Sequence, residues 1–290
     1  MGVSDWFQTF CKNIRIPEGD VSNIQDRYKQ ITKRINIDYW GIYSETAYSL
    51  YVGSYGRGTD IKTSDIDIIV QLPYATYKKF NEYNGNGQSA LLQEVKNVLQ
   101  KTYSTSFIKG DGQVVGLNFF DEICFEIVPA FINDDDSYTY PDTHNSGSWK
   151  KTDPKKEIAT INALNNLTNK NLKRLCRMSR VWKDKWDVPM SGILIDTLAY
   201  RFIEDWEYKD KSYLYYDFMT AGFFDYLSKF TNSSYCHAPG SDHLIYISGN
   251  FSGKASKCFE IANEAISREK DYPSTAKLKW REIYGSKFPT

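Results

Sequence analysis

Residues 51–73 of this 290-residue chain read YVGSYGRGTDIKTSDIDIIVQLP, a glycine-serine pair followed about ten residues later by two aspartates one residue apart. Asp67 opens an apolar run, Ile68, Ile69 and Val70, bounded by Thr63-Ser64 and by Pro73. β-Branched residues bounded in this way predict a buried strand. Alternate residues of a strand share a face, about 7 Å apart, so Asp65 and Asp67 point the same way and Ile66 turns to the core between them. Two carboxylates so placed converge on a site that holds one or two Mg²⁺ ions. An isolated Asp-x-Asp is commonly a solvated strand end; the context is what sets this one apart.

That context begins upstream, where residues 47–52 predict another strand ending in Gly53-Ser54, with Gly56 and Gly58 close behind. Glycines there let the backbone approach a ligand. Exposed N–H groups and the Ser54 hydroxyl, leading into a short helix, suit a phosphate. A third acid comes later, in Ile123-Cys124-Phe125-Glu126-Ile127-Val128-Pro129. Strand alternation puts Cys124, Glu126 and Val128 on one face, so Glu126 sits mid-strand and needs a partner. An edge-strand surface glutamate is the plain explanation; a metal ligand or general base across from Asp65 and Asp67 is the sharper one. Strand, Gly-Ser, short helix and Asp-x-Asp strand together make a nucleotidyltransferase layout.

Around this centre, a helix is expected from Asp20 through residue 36, with a stripe of Val21, Ile24, Tyr28, Ile31 and Ile35, while residues 1–19 receive no assignment. Residues 74–83 and 89–102 predict helices separated by an Asn-Gly loop, and strands follow over 105–109, 114–119 and 123–128. Residues 133–154 are polar and read as a crossing between lobes. Beyond them the pattern is helical, over 155–167, 171–186, 191–206, 213–230, 253–269 and 275–284. The expected division is a catalytic core over 1–150 and a helical lobe over 151–290. On the 171–186 helix Lys173, Arg174, Arg177, Arg180 and Lys183 form a basic cluster, and Ser191 opens the next helix. A basic face is ordinarily just solvated, but cations opposite a metal site also neutralise polyphosphate.

Composition narrows the partners. Apolar residues make up 41% of the chain, and Lys plus Arg and Asp plus Glu number 36 each, for a net charge of zero. Nothing in that balance argues for duplex binding. No apolar stretch approaches the roughly 18 residues of a membrane span, and the start lacks a signal-peptide pattern, so a cytoplasmic location without membrane attachment is expected. The five scattered cysteines fit reduced thiols rather than a disulfide framework.

The chain resembles the bacterial cGAS/DncV-like nucleotidyltransferases (CD-NTases) of CBASS anti-phage signalling, relatives of animal cyclic GMP-AMP synthase and oligoadenylate synthase. Gly53-Ser54 resembles the family's Gly-Ser loop, Asp65 and Asp67 its metal pair, and Glu126 its third acid, usually aspartate. Arg180-Val181-Trp182 is similar to its basic-x-Trp helix motif, where lysine is frequent, and Ser191 to the serine that follows. Trp149 to Pro154 and the ending around Trp280-Arg281-Glu282 resemble bacterial members. The resemblance implies an α+β fold with a polymerase-β-like mixed sheet and a helical C-terminal lobe completing a nucleotide cleft. It implies a cyclic dinucleotide or oligonucleotide synthase acting on NTP substrates. Asp65, Asp67 and Glu126 would hold two Mg²⁺ (or Mn²⁺) ions, and Gly53, Ser54, Arg180, Lys183 and Ser191 the triphosphate; Asn162 and Asn166 are candidates for reading bases. The product would act on a separate cyclic-nucleotide-sensing effector, and duplex DNA is not expected as an activator. Transfer to an RNA end or a protein, or silent nucleotide binding, are the alternative readings.

Overall fold

A computed structural model describes residues 2–62, 65–230, 235–247 and 249–290. Thr63 and Ser64, expected to bound the Asp-x-Asp strand, lie outside the described residues. The chain forms two units, residues 16–57 with 63–155, and residues 1–15 with 58–62 and 156–290.

The first unit is built on a mixed sheet. Helix α2 (Glu18–Ile35) leads to β1 (Ser49–Tyr51), the single-turn helix α3 (Gly53–Arg57) and β2 (Ile66–Gln71). Helices α4 (Tyr74–Asn81) and α5 (Gly87–Gln100) follow, then β3 (Phe107–Asp111), β4 (Val114–Asn118) and β5 (Cys124–Ile132). The strand order is β1-β2-β5-β4-β3, with β2 parallel to β5 and the other pairs antiparallel. A parallel pair needs a long crossover, which α4, α5 and the β3–β4 hairpin supply.

Strand alternation divides the sheet's residues as expected. Ile66, Ile68 and Val70 of β2 join Phe125 and Ile127 of β5 in one core with Ile24, Ile31 and Ile35 of α2 and Leu91, Leu92, Val95 and Leu99 of α5. Each such side chain contributes about 1.5–3 kcal/mol on burial. The opposite faces of the same strands carry Ile69 and Ala130, which pack with Val52 and Tyr138 in a smaller cluster. Asp67 and Glu126 alternate onto this second face. The polar stretch expected as a crossing folds instead into β6 (Tyr138–Asp142) and β7 (Ser148–Thr152), extending the sheet from the end of β5.

The second unit is helical. It comprises α1 (Val3–Asn13), α6 (Pro154–Leu167), α7 (Asn171–Trp186), α8 (Gly192–Asp205), α9 (Tyr216–Ser228), α10 (Ser252–Arg268) and α11 (Pro273–Tyr284). A short hairpin, β8 (Tyr235–His237) with β9 (Leu244–Tyr246), interrupts the helices. Phe7 of α1 meets the rings of Trp280 and Phe288 edge-on at 5.1 and 5.3 Å, so the N-terminal helix belongs to this core. The segment Gly58–Lys62 also belongs here, with Ile61 buried among the helices.

Candidate active site

The sheet unit assembles its acids through register. Asp67 on β2 lies beside Glu126 on β5 in the parallel pairing, which brings their carboxyl groups into hydrogen-bond contact. The Asp67 carboxyl is pushed up to about 7, first by burial, then by the charge and hydrogen bond of Glu126, with Asp65 adding to the effect. Arg57, only 6% exposed, opposes the shift. Burial raises the neighbouring Cys124 thiol, and the charges of Asp65 and Glu126 raise it further, which puts all three acids in one electrostatic neighbourhood. Asp65 is the exposed member, just before β2.

Gly53 is fitted to this cluster. Its φ is +57°, a left-handed conformation that favours glycine, and a Cβ added there would lie 1.8 Å from Asp67 Oδ2. The turn is held from the other side by Val52 N–H donating to the Asp67 carbonyl at 2.9 Å. Ser54 follows in α3, beside the acids in sequence and in the same unit.

Three negative groups drawn together with one opposing arginine form a site that favours a cation. Their oxygen donors suit a hard divalent ion. Among the described residues no three His, Cys, Asp or Glu side chains are gathered closely enough to hold a metal as they stand.

The helical unit holds the other expected residues, and here the structure redistributes roles. Arg180 is 5% exposed, and its guanidinium grips Asp196, 0% exposed, with Nη1–Oδ1 at 2.6 Å and Nη2–Oδ2 at 2.9 Å. Its Nη2 also donates to the Gly192 carbonyl at 3.0 Å. Arg180, expected to meet phosphate, turns these donors to a buried carboxylate and to the first turn of α8. What it positions is Ser191, whose Oγ caps that helix by accepting from Leu194 N–H at 3.3 Å. Ser191 itself is exposed, and Lys183 is half-buried with Nζ 3.2 Å from Asp184. Asn162 accepts from Lys173 Nζ at 2.5 Å, and exposed Asn166 accepts from Lys170 Nζ.

Sequence reasoning missed the anchoring of Gly58–Lys62. Thr59 Oγ1 donates to Asp196 Oδ2 at 2.8 Å, and Arg177 donates to the carbonyls of Gly58 and Asp60 at 2.6 and 3.0 Å. This segment lies between α3 and Asp65 in sequence. Asp196 carried one available signal, a lone acid amid the apolar run of α8.

Comparison with known proteins now decides the family. Residues 1–165 match the Second Messenger Oligonucleotide or Dinucleotide Synthetase (SMODS) domain. This chain belongs to the SMODS family. A probable cyclic nucleotide synthase of Bacillus cereus (strain VD146) is 25% identical over 276 residues, covering 82% of this chain and 81% of the relative. The fold matches CdnC of E. coli MS115-1, solved in a complex with HORMA-deltaN, with a TM-score of 0.73 at 15% identity over 99% of this chain and 98% of that one. It also matches CdnG of Bradyrhizobium diazoefficiens, solved with GTP, with a TM-score of 0.70 at 10% identity over 99% and 96%. The SMODS chain is a nucleotidyltransferase that makes cyclic nucleotides, on the α+β fold expected from its sequence; its family uses divalent metals in general. Among the described residues, no helix is long and apolar enough to cross a membrane.

Proposed function

We propose that this protein joins two NTPs into a cyclic dinucleotide, with Asp65, Asp67 and Glu126 holding two Mg²⁺ ions. The observation that carries the reading is the crowding of these three acids around Gly53, with the Asp67 carboxyl raised to about 7 by burial and by its acidic neighbours. Bound Mg²⁺ would supply charge neutralisation on the triphosphate and acidify the attacking hydroxyl. Ser54 and the N–H groups of α3 bind the donor phosphates; in the helical unit, taken by itself, Lys183 offers a cation and exposed Ser191 a hydroxyl suited to phosphate. A ribose hydroxyl of the acceptor attacks the donor's α-phosphorus, its proton passes to a Glu126 carboxylate oxygen, and pyrophosphate leaves. The same bond-making step on the linear pppNpN intermediate closes the ring and releases a second pyrophosphate.

The product is a diffusible messenger for a separate effector in anti-phage defence, made in the cytoplasm without a duplex DNA activator. The test is incubation with all four NTPs and Mg²⁺, phosphatase treatment, and mass spectrometry of the resistant products, with Asp65→Asn/Asp67→Asn as control. A cyclic product that disappears in the control supports the proposal. A polymeric or protein-bound product, or none while NTP still binds, overturns it.

A further inference from the structure

The helical unit contains a second charged concavity, of about 400 Å³, between α1 and α7. Four cations line it, Lys12, Arg15, Arg174 and Arg177, and no aspartate or glutamate does. The side chains of Lys12 and Arg15 are exposed, and among the described residues neither has a hydrogen-bond or ion-pair partner. Arg174 is pinned, with Nη1 3.1 Å from Tyr216 Oη and its guanidinium 4.7 Å from the centre of the Tyr213 ring. Arg177 spends Nε and Nη2 on the carbonyls of Asp60 and Gly58, and the nearest acid to it, Asp60, stands 3.9 Å away. Burial lowers the Arg177 pKa; the Asp60 charge opposes that shift, and the Arg15 charge adds to it. Four cations lining an open cavity, with Asp60, the acid paired with Arg177, outside the lining, recruit an anion.

We infer that this pocket binds a small polyanion, a molecule carrying two or more phosphate or carboxylate groups, and that its binding slows nucleotide transfer. The volume falls in the range of small-molecule sites. Guanidinium forks suit both phosphate and carboxylate oxygens. The effect on turnover rests on the synthase reading and follows from Arg177, the one residue that both lines the pocket and holds Gly58 and Asp60. An anion bound to Arg177 competes with those carbonyls and loosens the segment that leads, in sequence, from α3 to Asp65.

The probes are inorganic tripolyphosphate for the phosphate class and citrate for the carboxylate class, titrated calorimetrically into the full chain. One equivalent of at least one probe should bind wild type, and a preference between them names the class. Lys12→Glu/Arg15→Glu should weaken that binding by at least ~20-fold and leave turnover without probe unchanged. Asp65→Asn/Asp67→Asn should bind the probe like wild type, which separates this pocket from the acidic site. In the transfer assay the probe should slow wild type several-fold and leave Lys12→Glu/Arg15→Glu unaffected. No binding of either probe, full binding by the charge-reversed variant, or binding that leaves turnover unchanged each overturns the inference. Lys12→Gln/Arg15→Gln provides the same comparison should charge reversal disturb folding. A synthase reading that fails shows instead as absent product in every sample, with the binding results still readable.

Discussion

The two units treat buried charge in opposite ways. In the helical unit Arg180 and Asp196 meet in two close contacts, and Thr59 and the Gly192 carbonyl complete the arrangement. In the sheet unit Asp67 is pressed against Glu126 near Asp65, with Arg57 the opposing cation, and its carboxyl rises to about 7. Compensated charge fixes architecture: the Arg180 pair ties the start of α8 to α7 and to residue 59. Crowded like charge is costly to the free protein and has no architectural use, which supports the proposal that a cation completes the balance there.

Asp67→Asn should have the largest effect. Nucleotidyl transfer should fall on the order of 10⁴-fold, about 5–6 kcal/mol in transition-state terms, measured as initial rate of pyrophosphate release. The same substitution should stabilise the metal-free fold on the order of 1–2 kcal/mol at pH 8, discounted for partial exposure. A carboxyl raised in the folded state contributes stability below its ordinary value of 3.8 that is lost as pH rises through about 7. The advantage of the variant should therefore be absent at pH 3 and complete above pH 7, read from urea unfolding in EDTA.

Asp196→Ala should act the opposite way, destabilising the protein by about 3–5 kcal/mol, because it strands the Arg180 cation in the core. Arg180→Met/Asp196→Leu, which removes both charges, should recover most of that loss. If Asp196→Ala unfolds at the wild-type urea midpoint, the contrast between the two units fails.

Gly53→Ala comes next, with activity falling on the order of 10²-fold as the new methyl displaces the Asp67 carboxylate. Gly41→Ala is the control: it also has positive φ, +64°, but a Cβ there meets nothing within 4 Å. It should cost about 1 kcal/mol of stability and leave the rate unchanged.

The local part of this arrangement was legible in the sequence. Alternation placed Asp67 and Glu126 on faces of their strands, and the glycine-serine turn announced itself by residue type. The parallel register that sets Asp67 beside Glu126 is a tertiary fact about strands some sixty residues apart, and no local pattern carries it. Two signals were present and passed over. Val3, Trp6, Phe7, Phe10 and Cys11 have the spacing of an amphipathic helix and are all buried in α1. In residues 133–154 the strands β6 and β7 were masked by their polar composition, since β7 buries no residue fully. The Arg180–Asp196 pair was illegible for a different reason: a cation on a helix reads the same whether or not it pairs with a buried acid sixteen residues on.

Asp217 sharpens the comparison with the smallest expected effect. It is buried in the first turn of α9 and its carboxyl is pushed up to about 6, chiefly by burial, with Glu269 the acid whose charge adds to the shift. Its Oδ1 accepts from Phe218 N–H at 2.8 Å, a contact asparagine can keep. A raised carboxyl alone thus does not make a site; it takes several acids gathered together. Asp217→Asn should stabilise the protein by about 1 kcal/mol at pH 8 and leave nucleotidyl transfer at the wild-type rate. Its stability gain should open as pH rises from 4 and level off near 6, one unit before that of Asp67→Asn. Coincident profiles would mean that burial alone raises both carboxyls, and the acidic crowding around Asp67 would lose its standing as the mark of the site.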